Sequence, residues 1–138
     1  MKRAAKALAS LFGIGFFPVA PGTLASLVTV LLYKVLFHKL SLLPYLACAI
    51  GLFLIGVAAS TSCALEFGDK DPKKIVIDEV CGQWLALAGF PPRWWSVLLS
   101  FFLFRALDIA KPFPLKKAEK LSRGWGIMAD DVLAAAYT

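Results

Sequence analysis

From Leu42 to Leu65 the chain carries no charged side chain. That run constrains the fold more than any other feature. About 20 consecutive apolar residues let an α-helix cross the hydrocarbon core of a bilayer, where a helix satisfies its own backbone polar groups. Small residues within the run, Gly51, Gly56, Ala58, Ala59 and Ser60, allow a second helix to approach closely.

The remainder of the chain has the same character. Hydrophobic residues make up 59% of it and charged residues 17%, against about 45–50% and about 25% in soluble domains. Its 138 residues favour one domain, 1–138, and a globule of that size cannot bury so much apolar surface. Residues 1–17 read as a short amphipathic helix at the membrane interface, carrying Lys2, Arg3 and Lys6. Phe17-Pro18-Val19-Ala20-Pro21-Gly22-Thr23 is a breaker-rich loop before an apolar helix from Leu24 to Phe37. After the long run, Asp71 reads as an N-cap and Pro72 as the first residue of a helix reaching about Ala88. Gly89-Phe90-Pro91-Pro92 is a turn, and Trp94 and Trp95 open a helix from Arg93 to Ala110 at the interface. A basic connector leads to a last helix beginning near Met128. The expected fold class is all-α: a small integral membrane helical bundle with about five membrane helices plus the short N-terminal interfacial helix. Several of these helices are short for a span, so tilting or local bilayer thinning must compensate.

The net charge of +6 would suit nucleic acid in a soluble protein. Here the cations lie between hydrophobic segments, and no aromatic-basic motif accompanies them. Anionic lipid headgroups are the better partner, so the expected partners are the bilayer and a membrane phospholipid, with no nucleic acid. With five membrane helices, the lysines and arginines of the N-terminus and of residues 66–77 and 111–126 share one side. Only Lys34, Lys39 and Arg93 fall on the other. The positive-inside rule places the basic side in the cytoplasm. Met1-Lys2-Arg3 before an apolar stretch has a trace of a signal peptide, but Gly13, Gly15, Pro18 and Pro21 interrupt the region where one would need an apolar core and a cleavage site. Cys48, Cys63 and Cys81 lie in apolar runs without CxxC spacing, which argues against a disulfide framework or a zinc site. The one histidine, His38, cannot form a histidine cluster.

The acids are the sharpest signal. Asp78, Glu79, Asp108, Asp130 and Asp131 lie at or inside apolar helix ends, and the predicted topology gathers all five in the cytoplasmic half. Charges in such a setting are expensive and mark functional sites. The plainer reading makes each a helix cap or a dipole partner. It fits Asp130 and Asp131 near a helix start, fits Asp78 and Glu79 two turns beyond Asp71 less well, and fails for Asp108 near a helix end. Taken together the five favour a site. Carboxylates without histidine or cysteine suit a hard cation, Mg²⁺ before Ca²⁺ or Mn²⁺, and Mg²⁺ is bound through one or two carboxylates plus a substrate phosphate. Arg105, Asp108 and Lys111, at i, i+3 and i+6, share a broad helix face. Arg105 can grip a phosphate there while Lys111 adds a point charge. The alternative is an Arg105–Asp108 ion pair with Lys111 snorkelling to the interface. Gly22 and Thr23 at a helix start offer backbone N–H groups to an anion, or simply begin the helix.

Four motifs together resemble the phosphatidylglycerophosphatase A family: Phe17 to Thr23; Asp71-Pro72 followed by Ile75-Val76-Ile77-Asp78-Glu79; Phe104-Arg105-Ala106-Leu107-Asp108-Ile109-Ala110-Lys111-Pro112-Phe113-Pro114; and Gly124-Trp125-Gly126-Ile127-Met128-Ala129-Asp130-Asp131. They stand in family order. The resemblance implies a bacterial inner-membrane enzyme of phospholipid synthesis, hydrolysing phosphatidylglycerophosphate to phosphatidylglycerol and inorganic phosphate with Mg²⁺. Members of that family continue the last helix further into the membrane than Thr138, which implies that the chain is either naturally short or trimmed there.

On this reading a subset of Asp78, Glu79, Asp130 and Asp131 holds Mg²⁺, and Asp108 is a ligand or general base. Asp78, Glu79, Asp108 and Asp131 are the catalytic candidates. Gly22, Thr23, Arg105 and Lys111 hold the phosphate and stabilise its charge. Other phosphatase chemistries lack their residues: no DxDx[TV] context is present, the arginine of a Cys-x5-Arg loop would fall at Leu87, and His38 is on the wrong side. The competing class is a small oligomeric channel or carrier with an acidic cation site, which leaves Arg105 and Lys111 unexplained.

Overall fold

A computed structural model describes residues 2–68, 72–118 and 120–138, the Lys2 side chain excepted. The described residues are all-helical in character, with no strand among them. Helix α1 is Lys2–Ala9. It stops short of the predicted 1–17 because Leu11, Phe12 and Gly13 all take positive φ, leaving a single 3-10 turn at Ile14–Phe16. Helix α2, Pro21–Leu32, starts three residues before the predicted Leu24, since Pro21 at the first helical position gives up no hydrogen bond there. It runs on into a π turn at Tyr33–Phe37. Helix α3 is Leu42–Phe67, closed by Gly68 in the left-handed conformation. Helices α4, Ile77–Leu87, α5, Trp94–Ala110, α6, Leu115–Ala118, and α7, Gly124–Tyr137, follow.

Two further predicted helix starts shift, each for a tertiary reason. The α4 helix begins at Ile77 and not at Pro72; Asp71, the expected cap, lies outside the described residues. Ile75 and Val76 are buried, and the Val76 N–H donates to the Ala9 carbonyl at 2.8 Å, which ties this segment to α1 as a non-helical strap. The α7 helix begins at Gly124 and not near Met128, because the Gly124 N–H donates to Thr61 Oγ1 of α3 at 3.2 Å.

Helix α4 is the hub, packed against α2, α3, α5 and α7, while α1 lies on α3 and α6 on α7. The Tyr45 hydroxyl of α3 donates to the Trp84 carbonyl at 2.5 Å, and Trp84 Nε1 donates back to the Tyr45 carbonyl at 3.3 Å. Their rings stack with centroids 5.0 Å apart. Gly82 makes the other junction. A Cβ there would sit 2.6 Å from the Phe104 ring and 2.9 Å from the Asp131 carbonyl, so its absence lets α5 and α7 close on α4.

Among the described residues only α3 is long and apolar enough to cross a membrane. Helices α4, α5 and α7 have 11, 17 and 14 residues, short of the ~20 of a full span. The all-α expectation holds; of the five expected membrane helices, one meets the length requirement. Large apolar side chains nonetheless cover much of the surface, around a core that is itself mainly apolar but holds several polar side chains. Leu43, Ile50, Leu54, Phe102 and Ile109 face outward, while Ser26, Ser60, Gln83, Ser96 and Ser100 are fully buried. Helix packing through small and polar residues beneath an apolar exterior is the arrangement an apolar solvent favours.

Candidate active site

Two helix ends and one helix interior deliver the acids. Asp78 and Glu79 lie in the first turn of α4, Asp108 in the last turn of α5, and Asp130 and Asp131 in the middle of α7. The dipole account therefore applies to the opposite pair from the one expected. Asp78 and Glu79 gain from a helix N-terminus, whereas Asp130 and Asp131 stand nearly two turns inside α7 and gain nothing from its start. At the end of α5 the dipole opposes Asp108, and Arg105 one turn earlier compensates it.

All five acids come together. One oxygen from each of Asp78, Glu79 and Asp131 forms a group whose members lie within 4.8 Å of one another, and Asp108, Asp130 and Asp131 form a second such group. Asp78, Asp108, Asp130 and Asp131 are buried, Asp131 most deeply at 2% exposure. Arg105 Nη1 donates to Asp108 Oδ2 at 2.5 Å and stands 3.9 Å from Glu79 Oε1. Lys111 Nζ donates to Asp130 Oδ2 at 2.7 Å. The Arg105–Asp108 pair foreseen as an alternative is thus present, but Lys111 does not snorkel away from it. As the C-cap of α5 it takes a left-handed conformation, φ 44, and its ammonium joins the cluster.

Gly22 reaches the same place from α2. A Cβ on it would overlap the Glu79 carboxyl group, so the start of α2 lies directly against the start of α4. Thr23 follows it in the first turn of α2, where backbone N–H groups have no intrahelical partner. The sequence reading passed over Gln83 and Ser100. Gln83 Nε2 donates to Ser100 Oγ at 3.4 Å, one turn deeper than Glu79, and Gln83 Oε1 is buried without a partner. The available signal was a polar residue four positions after Glu79 in an otherwise apolar helix.

The donors fit a hard divalent cation. Asp78 Oδ1, Glu79 Oε2 and Asp131 Oδ2 are buried with no hydrogen-bond partner, a costly state for ionised carboxylates. Every offered ligand atom is a carboxylate oxygen, the donor type that Mg²⁺ and Ca²⁺ select.

The chain also resembles known proteins over nearly its whole length. The sequence profile of the Phosphatidylglycerophosphatase A family matches residues 7–138. A Haemophilus influenzae protein named Phosphatidylglycerophosphatase A is 41% identical over 128 residues, covering 91% of this chain and 78% of that one. An Escherichia coli protein of the same name is 34% identical over 132 residues, covering 92% and 74%. A Bacteroides thetaiotaomicron protein, provisionally named as a phosphatidylinositol-3-phosphatase, is 39% identical over 134 residues, covering 92% and 84%. No solved structure matches the chain. The chain belongs to the phosphatidylglycerophosphatase A family.

Proposed function

We propose that this chain is a Mg²⁺-dependent lipid phosphatase of phospholipid synthesis in the bacterial inner membrane, hydrolysing phosphatidylglycerophosphate to phosphatidylglycerol and inorganic phosphate. The observation that carries the reading is the cluster of five acids interleaved with Arg105 and Lys111. Acids alone would serve a cation carrier; acids with two cationic side chains suit a metal and a phosphate together. The names of the Haemophilus and Escherichia relatives point to the lipid.

In the reaction a water oxygen bonds to phosphorus, the bond from phosphorus to the glycerol oxygen breaks, and that oxygen leaves as a hydroxyl with a proton. Asp78, Glu79, Asp130 and Asp131 would hold Mg²⁺, which when bound neutralises the phosphate and acidifies the attacking water. Asp108 accepts the water's proton or completes the ligand set. Arg105 shifts from Asp108 toward the phosphoryl oxygens, and Lys111 adds a second positive charge. The free amides at the start of α2, Gly22 and Thr23, face developing negative charge on the same oxygens.

The apolar exterior supports a bilayer setting, with α3 crossing it and the shorter helices sheltered against α3 and each other. Lys6, Lys74 and Lys111 cluster toward the acidic end, whereas Lys34 bonds the Pro92 carbonyl and covers the Trp94 ring at the far end. That asymmetry favours an active site on the cytoplasmic face. Acyl chains then remain in the membrane while the headgroup enters the pocket.

The test is phosphate release from short-chain phosphatidylglycerophosphate by the purified, folded chain in detergent. Release is expected, stopping with EDTA and returning with excess Mg²⁺. A folded sample that releases none under excess Mg²⁺ would sink the enzyme reading. Faster release from phosphatidylinositol 3-phosphate, the substrate in the name of the Bacteroides relative, would transfer the assignment to that lipid.

A further inference from the structure

We propose that the acidic centre binds two divalent cations side by side, with Asp131 as the carboxylate they share. The inference rests on the metal reading above and extends it from one ion to two.

Asp131 is the starting point. It is the one residue common to both groups of converging oxygens, Asp78 with Glu79 on one flank and Asp108 with Asp130 on the other. A carboxylate has two oxygens and can face two ions at once, which is how sites with ions about 3.5–4 Å apart are commonly bridged. Asp131 is placed for that role. It is 2% exposed, and its Oδ2 is buried with no hydrogen-bond partner, as is Oδ1 of Asp78, itself 8% exposed. The second flank is already engaged through Oδ2 of Asp108 with Arg105 and Oδ2 of Asp130 with Lys111. Ionised carboxylates accept several partners each, so these bonds orient the two groups without exhausting them.

Charge gives an independent reason. Five carboxylates face two cationic side chains in a volume largely closed to water. One divalent ion leaves that volume net negative, and a phosphate monoester, close to a dianion at neutral pH, would be repelled from it. Two divalent ions make it net positive before substrate arrives and leave a single negative charge once phosphate is bound. The pocket can therefore admit this substrate readily with two ions and poorly with one.

Mn²⁺ is the probe. The purified full chain in detergent, titrated with Mn²⁺ and read by electron paramagnetic resonance, should saturate at two ions per chain and show the exchange-coupled signal of a close pair. Asp78→Asn and Asp108→Asn should each lower the count to one. Asp131→Asn should abolish the coupling, with circular dichroism confirming that each variant is helical. Saturation of the wild-type chain at one ion would overturn the proposal, and so would two ions without coupling; both outcomes are independent of any variant's folding. Two coupled ions without phosphate release would overturn the phosphatase reading and leave this one standing. One ion with full release would do the reverse.

Discussion

Gly22 and Glu79 meet where two helix starts touch, and that contact leaves no room for a methyl group. Gly22→Ala must push the Glu79 carboxyl away from Asp78 and Asp131. The expected result is a fall in turnover of about tenfold or more, equivalent to about 1.4 kcal/mol of barrier, with little change in melting temperature because Glu79 is a movable side chain. Turnover on short-chain phosphatidylglycerophosphate beside a thermal melt checks both parts. Lys111 offers a second residue-level test. Its left-handed backbone, φ 44, costs an alanine about 1 kcal/mol and a glycine nothing. Lys111→Gly should therefore be more stable than Lys111→Ala by about that amount, while both lose turnover alike through loss of the ammonium; denaturant unfolding in detergent and kinetics separate the two effects. The five acids were legible in the sequence because carboxylates stand out in an apolar chain. Which pair enjoys a helix dipole was not, because the starts of α4 and α7 are set by the Val76–Ala9 and Gly124–Thr61 hydrogen bonds, contacts between residues distant in sequence.

At the scale of elements, α4 is short yet touches four neighbours. Its last turn leaves carbonyls without intrahelical partners, and the Tyr45 hydroxyl satisfies that of Trp84. Tyr45→Phe removes this bond while keeping the stacked ring. The expected cost is about 1–2 kcal/mol of stability with unchanged turnover, because the contact lies at the far end of α4 from the acids. A loss of turnover without a loss of stability would instead couple this clamp to the site. The order of the helices could be read from the apolar runs and their Gly and Pro breaks. Their lengths could not: the strap from Pro72 to Val76 looks helical until burial of Ile75 and Val76 against α1 claims it. The close approach at Gly82 depends on Phe104 and the backbone of Asp131, neighbours that only the three-dimensional structure supplies.

For the whole molecule, composition led to the expectation of an apolar surrounding, and the structure adds many outward-facing large apolar side chains and one helix of spanning length. The shortness of several helices was expected from their apolar runs, and α2, α4, α5 and α7 do fall short of a full span; the exact stops depend on contacts between distant residues. The proposed orientation has its own test. Lys116→Cys in a Cys48→Ser background should resist a membrane-impermeant maleimide in intact spheroplasts and react once they are permeabilised; labelling before permeabilisation would reverse the orientation. The split of the centre across the chain also has a consequence in time. Asp78 and Glu79 belong to α4, but their counter-charge Arg105 and their fellow acid Asp131 belong to α5 and α7. A ribosome delivers the first pair well before the others exist. Through that interval α4 has two carboxylates at its start without those partners, and in the proposed bilayer setting they would hold that end in water. On the proposed site, a nascent chain still lacking α7 has neither Asp130 nor Asp131 and would be inert however well its earlier helices have folded.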